Sequence, residues 1–277
     1  MSINITISVI IPLYNKSYSI TRCLNSVFNQ TVAPNEIIIV NDGSTDDGFQ
    51  IVEEYVKGQS IRCVLIDQKN SGVSCARNLG VSNSNSTFVA FLDADDEWTA
   101  SYIERRIASI FKFPMAKVYS GGHILSNDKL GCRNGPNPLN TNFHGYVKNF
   151  FITSCKGSLA NSSKTIIDRV AFIEAGGFPE GITIGEDLFL WIQLGLIHSF
   201  VYDSRRDVII HYELDNSRCN RNNNVPYPLE YYSTNELPKI VRPYIFRIFY
   251  KHFFAAIKSG NIKCALCIFI KSYKHFF

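Results

Sequence analysis

Two hydrophobic rhythms alternate along the first third of the chain. Ile5–Ile11 is a β-branched run closed by Pro12, the profile of a buried strand, and Ile20, Cys23, Leu24, Val27 and Phe28 follow at helical spacing. Glu36–Val40 reads as a second strand, and Ile51, Val52 and Tyr55 mark a second helix. Ile61–Ile66 is a third strand, a helix opening near Gly72 carries Ala76, Leu79 and Gly80, and Phe88–Leu92 is a fourth strand. Strand starts near 5, 36, 61 and 88 have the period of successive βαβ units. The expectation is an α/β fold built on a parallel, doubly wound sheet.

Ligands of such sheets bind outside the carboxyl ends of the strands. Here those ends carry Pro12-Leu13-Tyr14-Asn15, Asn41-Asp42-Gly43-Ser44-Thr45-Asp46, Asn70-Ser71-Gly72 and Asp93-Ala94-Asp95-Asp96. Polar and acidic residues from four loops therefore converge on one edge. There is no Gly-x-Gly-x-x-Gly after the first strand and no Gly-x-x-x-x-Gly-Lys-Ser/Thr, which argues against dinucleotide and P-loop sites. Neither His-x-x-x-His nor paired Cys-x-x-Cys spacing suggests zinc. An acidic edge of this kind needs a bridging hard cation before it can hold a phosphate.

Asp93 and Asp95 stand at alternate positions after an apolar strand, so both carboxylates can face one ligand. One or two carboxylates plus substrate phosphate oxygens is a common way to hold Mg²⁺. The structural alternative is a solvated turn, and Asp96 is assigned to cap the next helix. Asp42, before the tight turn at Gly43, can accept from a ribose or a base N–H, or serve only the backbone as an Asx-turn. Asp46 is placed to cap the helix behind it. Arg77 falls in the first turns of the third helix, where a phosphate or a surface acid could hold it. Further on, Gly185-Glu186-Asp187 joins two acids to a helix with Leu188, Trp191 and Leu194 at helical spacing. Acids in a first turn are favoured by the helix dipole alone. They also suit a general base presented rigidly to an acceptor hydroxyl. The preceding Gly176-Gly177-Phe178-Pro179-Glu180-Gly181 segment is expected to be a flexible loop over a substrate.

Taken in order, Ser8–Asn15, Ile38–Asp46, Asn70–Gly80, Phe91–Asp96, Gly176–Phe178 and Gly185–Trp191 resemble the family 2 glycosyltransferases of the GT-A fold, over about residues 5–195. The resemblance implies a GT-A-type, Rossmann-like sheet. It also implies an inverting transferase that uses a nucleotide-activated sugar, most often a UDP-sugar, with Mg²⁺ or Mn²⁺. Carried over by position, it puts Asp42 on the nucleotide's base or ribose, with Pro12, Tyr14 and Arg77 lining the same pocket. Asp93 would contact the ribose side, and Asp95 would bind the metal that bridges the diphosphate. Asp187 corresponds to the catalytic base, with Glu186 as the alternative. Many members carry Arg-x-His-x-x-Ser beyond the Glu-Asp helix. Here Tyr212-Glu213-Leu214-Asp215-Asn216-Ser217 stands there, with Leu214 at the His position and His211 the nearest substitute. Two readings from other classes compete. A sugar-nucleotide pyrophosphorylase would usually show a Gly-rich phosphate loop near its N-terminus. A non-catalytic nucleotide-sugar-binding or scaffold protein would be expected to lose Asp95 or Asp187.

Composition then adds a second feature. With 45% apolar and 19% charged residues in 277, the chain has the makings of a folded core. No run reaches the roughly 18 apolar residues of a spanning helix. Met1–Thr6 lacks a basic n-region, and the eight Cys show no framework spacing, so a reducing, cytoplasmic setting is expected. The charge is unevenly spread. Lys239–Phe277 holds eight Lys/Arg and no Asp or Glu, whereas the rest holds 20 basic against 24 acidic residues. We therefore divide the chain into a catalytic domain over 1–215 and a basic, aromatic-rich helical extension, with its leading loop, over 216–277. Within the first, 1–98 is the nucleotide-sugar-binding half and 99–215 the acceptor half. Ser126–Gly145 and Asp215–Pro228, rich in Asn, Gly and Pro, read as long loops for acceptor contacts or lids. Two apolar segments of the tail, broken near Gly260-Asn261, suit interfacial helices on an anionic leaflet. Packing on the catalytic domain with solvated Lys is the structural alternative. The tail is too apolar for a phosphate-tracking surface, so no nucleic-acid partner is expected. The expected partners are a nucleotide-sugar donor, a saccharide acceptor that a polyprenyl diphosphate could carry, and the inner face of the cytoplasmic membrane. A bacterial surface polysaccharide or O-antigen pathway would fit.

Overall fold

The β-branched run near the N-terminus forms β1 (Ile7–Leu13), buried along its whole length in the computed structural model. The structure describes residues 4–127, 130–212 and 224–276. On one side β1 pairs with β2 (Glu36–Asn41), which pairs with β3 (Arg62–Asp67); on the other it pairs with β4 (Phe88–Phe91), all in parallel. The crossovers are α1 (Ile20–Phe28), α2 (Gly48–Val56) and α3 (Val73–Ser82). β1 and β2 are apolar on both faces because helices cover both. Ile10, Ile38, Val40 and Phe91 pack in one layer with Ala76 and Val81 of α3. Val9, Ile11, Ile37 and Ile39 pack in the other with Leu24 and Val27 of α1. The doubly wound plan holds over this half.

Pro12 does not close the first strand, which continues to Leu13. Leu92 N–H donates to the carbonyl of Ile10, so the backbone of Ile10 faces β4, and Pro12, two residues on, faces the same way. The β4 ladder has ended at the Ile10–Phe91 pair, so the missing N–H removes no ladder bond.

Beyond β4 come β5 (Glu97–Trp98), α4 (Tyr102–Lys112), β6 (Val118–Asn127), β7 (Gly131–Asn134), β8 (His144–Tyr146) and α5 (Phe150–Ser154). A 3₁₀ turn (Ser162–Lys164), β9 (Thr165–Asp168), α6 (Arg169–Glu174), α7 (Glu186–Ile197) and β10 (Phe200–His211) follow. The spatial order is β3-β2-β1-β4-β9-β6-β10-β5, with β7 on β6 and β8 on β10. β9 runs antiparallel to both neighbours, β4 and β6, so the sheet is parallel over its first four strands and mixed beyond them. Ser126–Gly145 is therefore not the continuous loop expected. Gly131, at φ +67°, turns the chain back onto β6, and β7 and β8 are short, solvent-facing strands whose composition hides them. Of the second expected loop, residues 215–223 lie outside the described residues, as do Glu213 and Leu214, and its end enters a helix.

That helix, α8 (Tyr227–Thr234), leads to α9 (Arg242–Lys258) and α10 (Ile262–Phe276). α9 stops where expected. Gly260 takes φ +74°, Asn261 N–H donates to Ala256 O and Gly260 N–H to Ile257 O, a Schellman motif. Asn261 Oδ1 then accepts from Cys264 N–H, which starts α10 at once. Tyr244, Ile245 and Ile248 of α9, with Cys264, Ala265 and Ile268 of α10, are buried in the same layer as α3 and α7. The inner faces of the extension are thus part of the core. Cys267, by contrast with Cys264, is exposed.

Candidate active site

Arg77 is the hub of the sheet edge. It lies in α3, one helical turn after Gly72, whose φ of +93° bends the chain into the helix. Its side chain is only 5% exposed, and its guanidinium rests on the Phe178 ring, 4.9 Å from the centroid. Nη2 donates to Asp93 Oδ1 at 2.6 Å, and Nη1 lies 3.7 Å from Glu186 Oε1. Burial alone favours the neutral guanidine, but Asp93, Glu186 and Asp187 outweigh it and hold Arg77 charged, above its ordinary range. The two acidic stretches, 93 residues apart at Asp93 and Glu186, thus meet on one cation.

Asp187 begins α7 beside Glu186, where Gly185 takes the left-handed conformation at φ +81°. Its Oδ1 accepts from Leu188 N–H at 2.7 Å. Burial pushes its carboxyl above the usual range, opposed by the Arg77 charge and the Leu188 amide, while Asp93 adds to the rise. Asp187 is thus a carboxyl with a raised pKa in the field of the Arg77 charge, properties that a general base can use.

At the carboxyl end of β2, Asp42 is 3% exposed and held by three hydrogen bonds. Oδ1 accepts from Gln68 Nε2 (2.6 Å) and Ser71 N–H (2.8 Å), and Oδ2 from Gly72 N–H (2.9 Å). It therefore ties the loop after β3 to the end of β2, and any ligand bond it makes adds to these. Tyr14 stands 47% exposed just past β1, and Pro12 is buried beneath it in the strand. Asp95 Oδ2 accepts from Lys16 Nζ at 2.7 Å, and Lys16 also donates to Tyr18 at 2.8 Å. Asp96 does not cap a helix; Ser101 precedes α4 instead. Asp96 is turned inward, accepting from Ser163 Oγ (2.5 Å) and His211 N–H (3.1 Å). Burial, with Asp93 and Asp95 close by, raises its carboxyl well above the usual range. Asp46, expected to cap α2, stands one residue ahead of the cap position, which Asp47 fills without a side-chain bond; Asp46 accepts from Gly48 N–H and from Ser17 N–H.

Among the described residues, no group of three or more His, Cys, Asp or Glu side chains is disposed to hold a metal. The acidic loop fits a different arrangement. Asp95 and Asp93 keep 27% and 36% of their side chains exposed on one loop, which suits a cation that takes its remaining oxygens from a substrate diphosphate. His211 lies against the end of the acidic loop, its N–H on Asp96 and its Nε2 2.7 Å from Glu97 Oε1.

Several contributors escape a reading of the sequence. Lys16 carries no motif. Asn78 does more than its place in the third motif suggests: Oδ1 accepts from Phe178 N–H and Nδ2 donates to Phe178 O and Glu180 Oε1. These bonds pin the Gly176–Gly181 segment to α3, with Phe178 buried, so it is an anchor rather than the flexible loop expected. A Cβ at Gly177 would come within 2.9 Å of Asn78 Oδ1. Just before Glu186, Thr183 and Ile184 face Val225, Tyr227 and Glu230 across a cavity of about 310 Å³.

Comparisons with known proteins bear on the family and the fold. The profile of the family described as Glycosyl transferase family 2 matches residues 8–158. Glycosyltransferase GlyA of Streptococcus pneumoniae is 35% identical over 131 residues, which is 47% of this chain and 18% of that protein. TuaG of Bacillus subtilis, named for teichuronic acid biosynthesis, is 28% identical over 78% of this chain and 82% of its own. The chain spans only 18%, 26% and 30% of GlyA and of two glycosyltransferases from Rickettsia bellii and Rickettsia conorii. Residues 1–349 of TarS from S. aureus superpose with a TM-score of 0.71 at 19% identity, covering 97% of this chain and 81% of that one. The same TarS segment in complex with UDP-GlcNAc gives 0.67 at 17% identity, covering 98% and 92%. The fold is GT-A, and by its profile match, with acidic motifs gathered on Arg77, the chain belongs to glycosyl transferase family 2.

Proposed function

We propose that this chain transfers a sugar from a nucleotide-sugar, a UDP-sugar first among them, to a hydroxyl of a saccharide acceptor with inversion at the anomeric carbon. The observation that carries the reading is the meeting of Asp93 and Glu186 on the buried Arg77, with Asp187 near enough for the two charges to act on each other. Asp42, Pro12 and Tyr14 form the nucleoside end of the pocket, and Asp93 lies on its ribose side. Asp95 is the residue to hold Mg²⁺ or Mn²⁺, with Asp93 beside it. A bound divalent cation would supply charge neutralisation for the diphosphate leaving group. Lys16 and Arg77 add fixed positive charge at the same edge.

Asp187 takes the proton of the acceptor hydroxyl as that oxygen attacks the anomeric carbon opposite the diphosphate. The bond from that carbon to the diphosphate oxygen breaks, and the single displacement inverts configuration. Glu186, held 3.7 Å from Arg77, is better placed to orient the cation than to accept the proton. A base of this kind is worth on the order of 10²–10⁴ in rate, and alignment of the two substrates supplies much of the rest. TarS in complex with UDP-GlcNAc supports a UDP-sugar donor, and TuaG, named for teichuronic acid biosynthesis, a polysaccharide acceptor; its carriage on a polyprenyl diphosphate at the inner face of the cytoplasmic membrane is part of the proposal.

The test is a screen of UDP-, GDP- and dTDP-sugars for thermal stabilisation with and without Mn²⁺, followed by transfer to saccharide acceptors and NMR of the product. Metal-dependent stabilisation by one nucleotide-sugar and an inverted linkage are expected. A retained linkage would overturn the mechanism, and binding with no transfer to any acceptor would favour a non-catalytic nucleotide-sugar-binding protein.

A further inference from the structure

The α9–α10 hairpin turns one apolar face inward and a second outward. On α9, Phe246, Tyr250, Phe254 and Ile257 recur every three to four residues and are 43–55% exposed. On α10, Ile262, Leu266, Ile270 and Tyr273 do the same at 53–64%. Phe253 joins the two rows, its ring 5.4 Å from Phe254 and 6.4 Å from Phe269 across the helix pair. Single exposed apolar residues mean little, but a contiguous patch of this kind marks an interaction surface.

Its setting says which one. Lys251, Lys258 and Lys263 are exposed along the same two helices. Residues 239–277 contain eight Lys/Arg and no acid. A second copy of the chain would bring the same positive charge to the contact, which disfavours self-pairing. An anionic lipid surface complements both features, with acyl chains for the rings and headgroups for the ammonium ions. No helix among the described residues is long and apolar enough to cross a bilayer. At 17 and 15 residues, these two are suited to lie in its plane. α9 is also buried in the same core layer as α7, the helix whose first turn holds Asp187.

We propose that the α9–α10 hairpin docks this protein on an anionic phospholipid surface, its aromatic and aliphatic outer face in the interface and its lysines on the headgroups. An acceptor held by a lipid in that surface would then arrive beside Asp187; only this consequence rests on the transferase reading. The test is flotation of the full chain with phosphatidylcholine vesicles, with and without phosphatidylglycerol. Binding to the anionic vesicles should exceed binding to the neutral ones about tenfold at low salt. The variant Phe254→Glu/Leu266→Glu/Ile270→Glu should lose at least tenfold in partitioning with an unchanged thermal midpoint. Lys258→Glu/Lys263→Glu should lose the preference for anionic lipid. The proposal fails if the parent chain does not float with anionic vesicles or if the triple variant floats as the parent does. It fails also if sedimentation shows a dimer that the triple variant abolishes while lipid binding is unchanged. Vesicle binding without sugar transfer would leave docking standing and overturn only the catalytic reading.

Discussion

The donor edge and the α9–α10 hairpin gather chemistry in opposite ways. At the donor edge, charged groups are turned toward one another: Arg77 on Asp93 and Glu186, Lys16 on Asp95, Asp42 on the backbone of residues 71 and 72. Each group is held by partners far away in sequence, so the site is set before any ligand arrives. In the hairpin the charges are of one sign, and the large side chains of the outer face point to solvent. The first region is organised for a small, highly charged ligand and the second for an extended surface. Substitutions in the first should therefore disturb reaction and stability, whereas those on the outer face of the second should spare folding stability.

The largest effect is expected at Asp187. Asp187→Asn should lower turnover on the order of 10²–10⁴-fold while nucleotide binding is kept, and Glu186→Gln should cost less. Because burial raises its carboxyl, kcat/KM of the parent should fall on the acid side at a pH above the ordinary aspartate range. Next comes Arg77→Met, which strands Asp93 and Glu186. Breaking a buried pair costs more than this, but Asp93 is partly exposed, so urea denaturation should show a loss of about 2–3 kcal/mol.

Lys164 offers a test by pH. It is fully buried behind the acidic loop, and burial, with Arg106 adding, lowers its pKa to about 7. The unfolded chain keeps that proton to a higher pH, so it binds more protons than the native state above pH 7, and stability must rise with pH there. The rise should approach about 1.4 kcal/mol per pH unit between roughly pH 7 and 9 and vanish in Lys164→Met, as read by urea titrations. Asn78→Ala, which frees the Phe178 segment, should cost about 1–2 kcal/mol. Smallest of all is Phe254→Glu, whose effect on folding stability should stay within about 0.5 kcal/mol.

The first half of the sheet was legible in the sequence because its strands are continuous apolar runs with regular spacing. The residues of the acidic edge were legible because strand ends are where such sheets bind ligands, and Glu186 and Asp187 through the resemblance. What escaped is long-range. Asp96 reads as a cap from its neighbours, yet its partners are Ser163 and His211, 67 and 115 residues away. The glycine-rich Gly176–Gly181 segment reads as flexible, yet Asn78 fixes it from 100 residues upstream. β7 and β8 carry too few apolar residues to show a strand rhythm. In the tail, helical spacing marked both apolar segments, but only packing reveals which rows face the core.

The account rests on a donor site built around Asp95 that is separable from the base at Asp187. Calorimetric titration of UDP into the parent chain, Asp95→Asn and Asp187→Asn, each with and without Mn²⁺, tests this most directly. The account predicts metal-dependent binding by the parent chain, at least tenfold weaker binding by Asp95→Asn, and parental affinity in Asp187→Asn. Affinity that ignores both the metal and Asp95→Asn, or that collapses in Asp187→Asn, would contradict it.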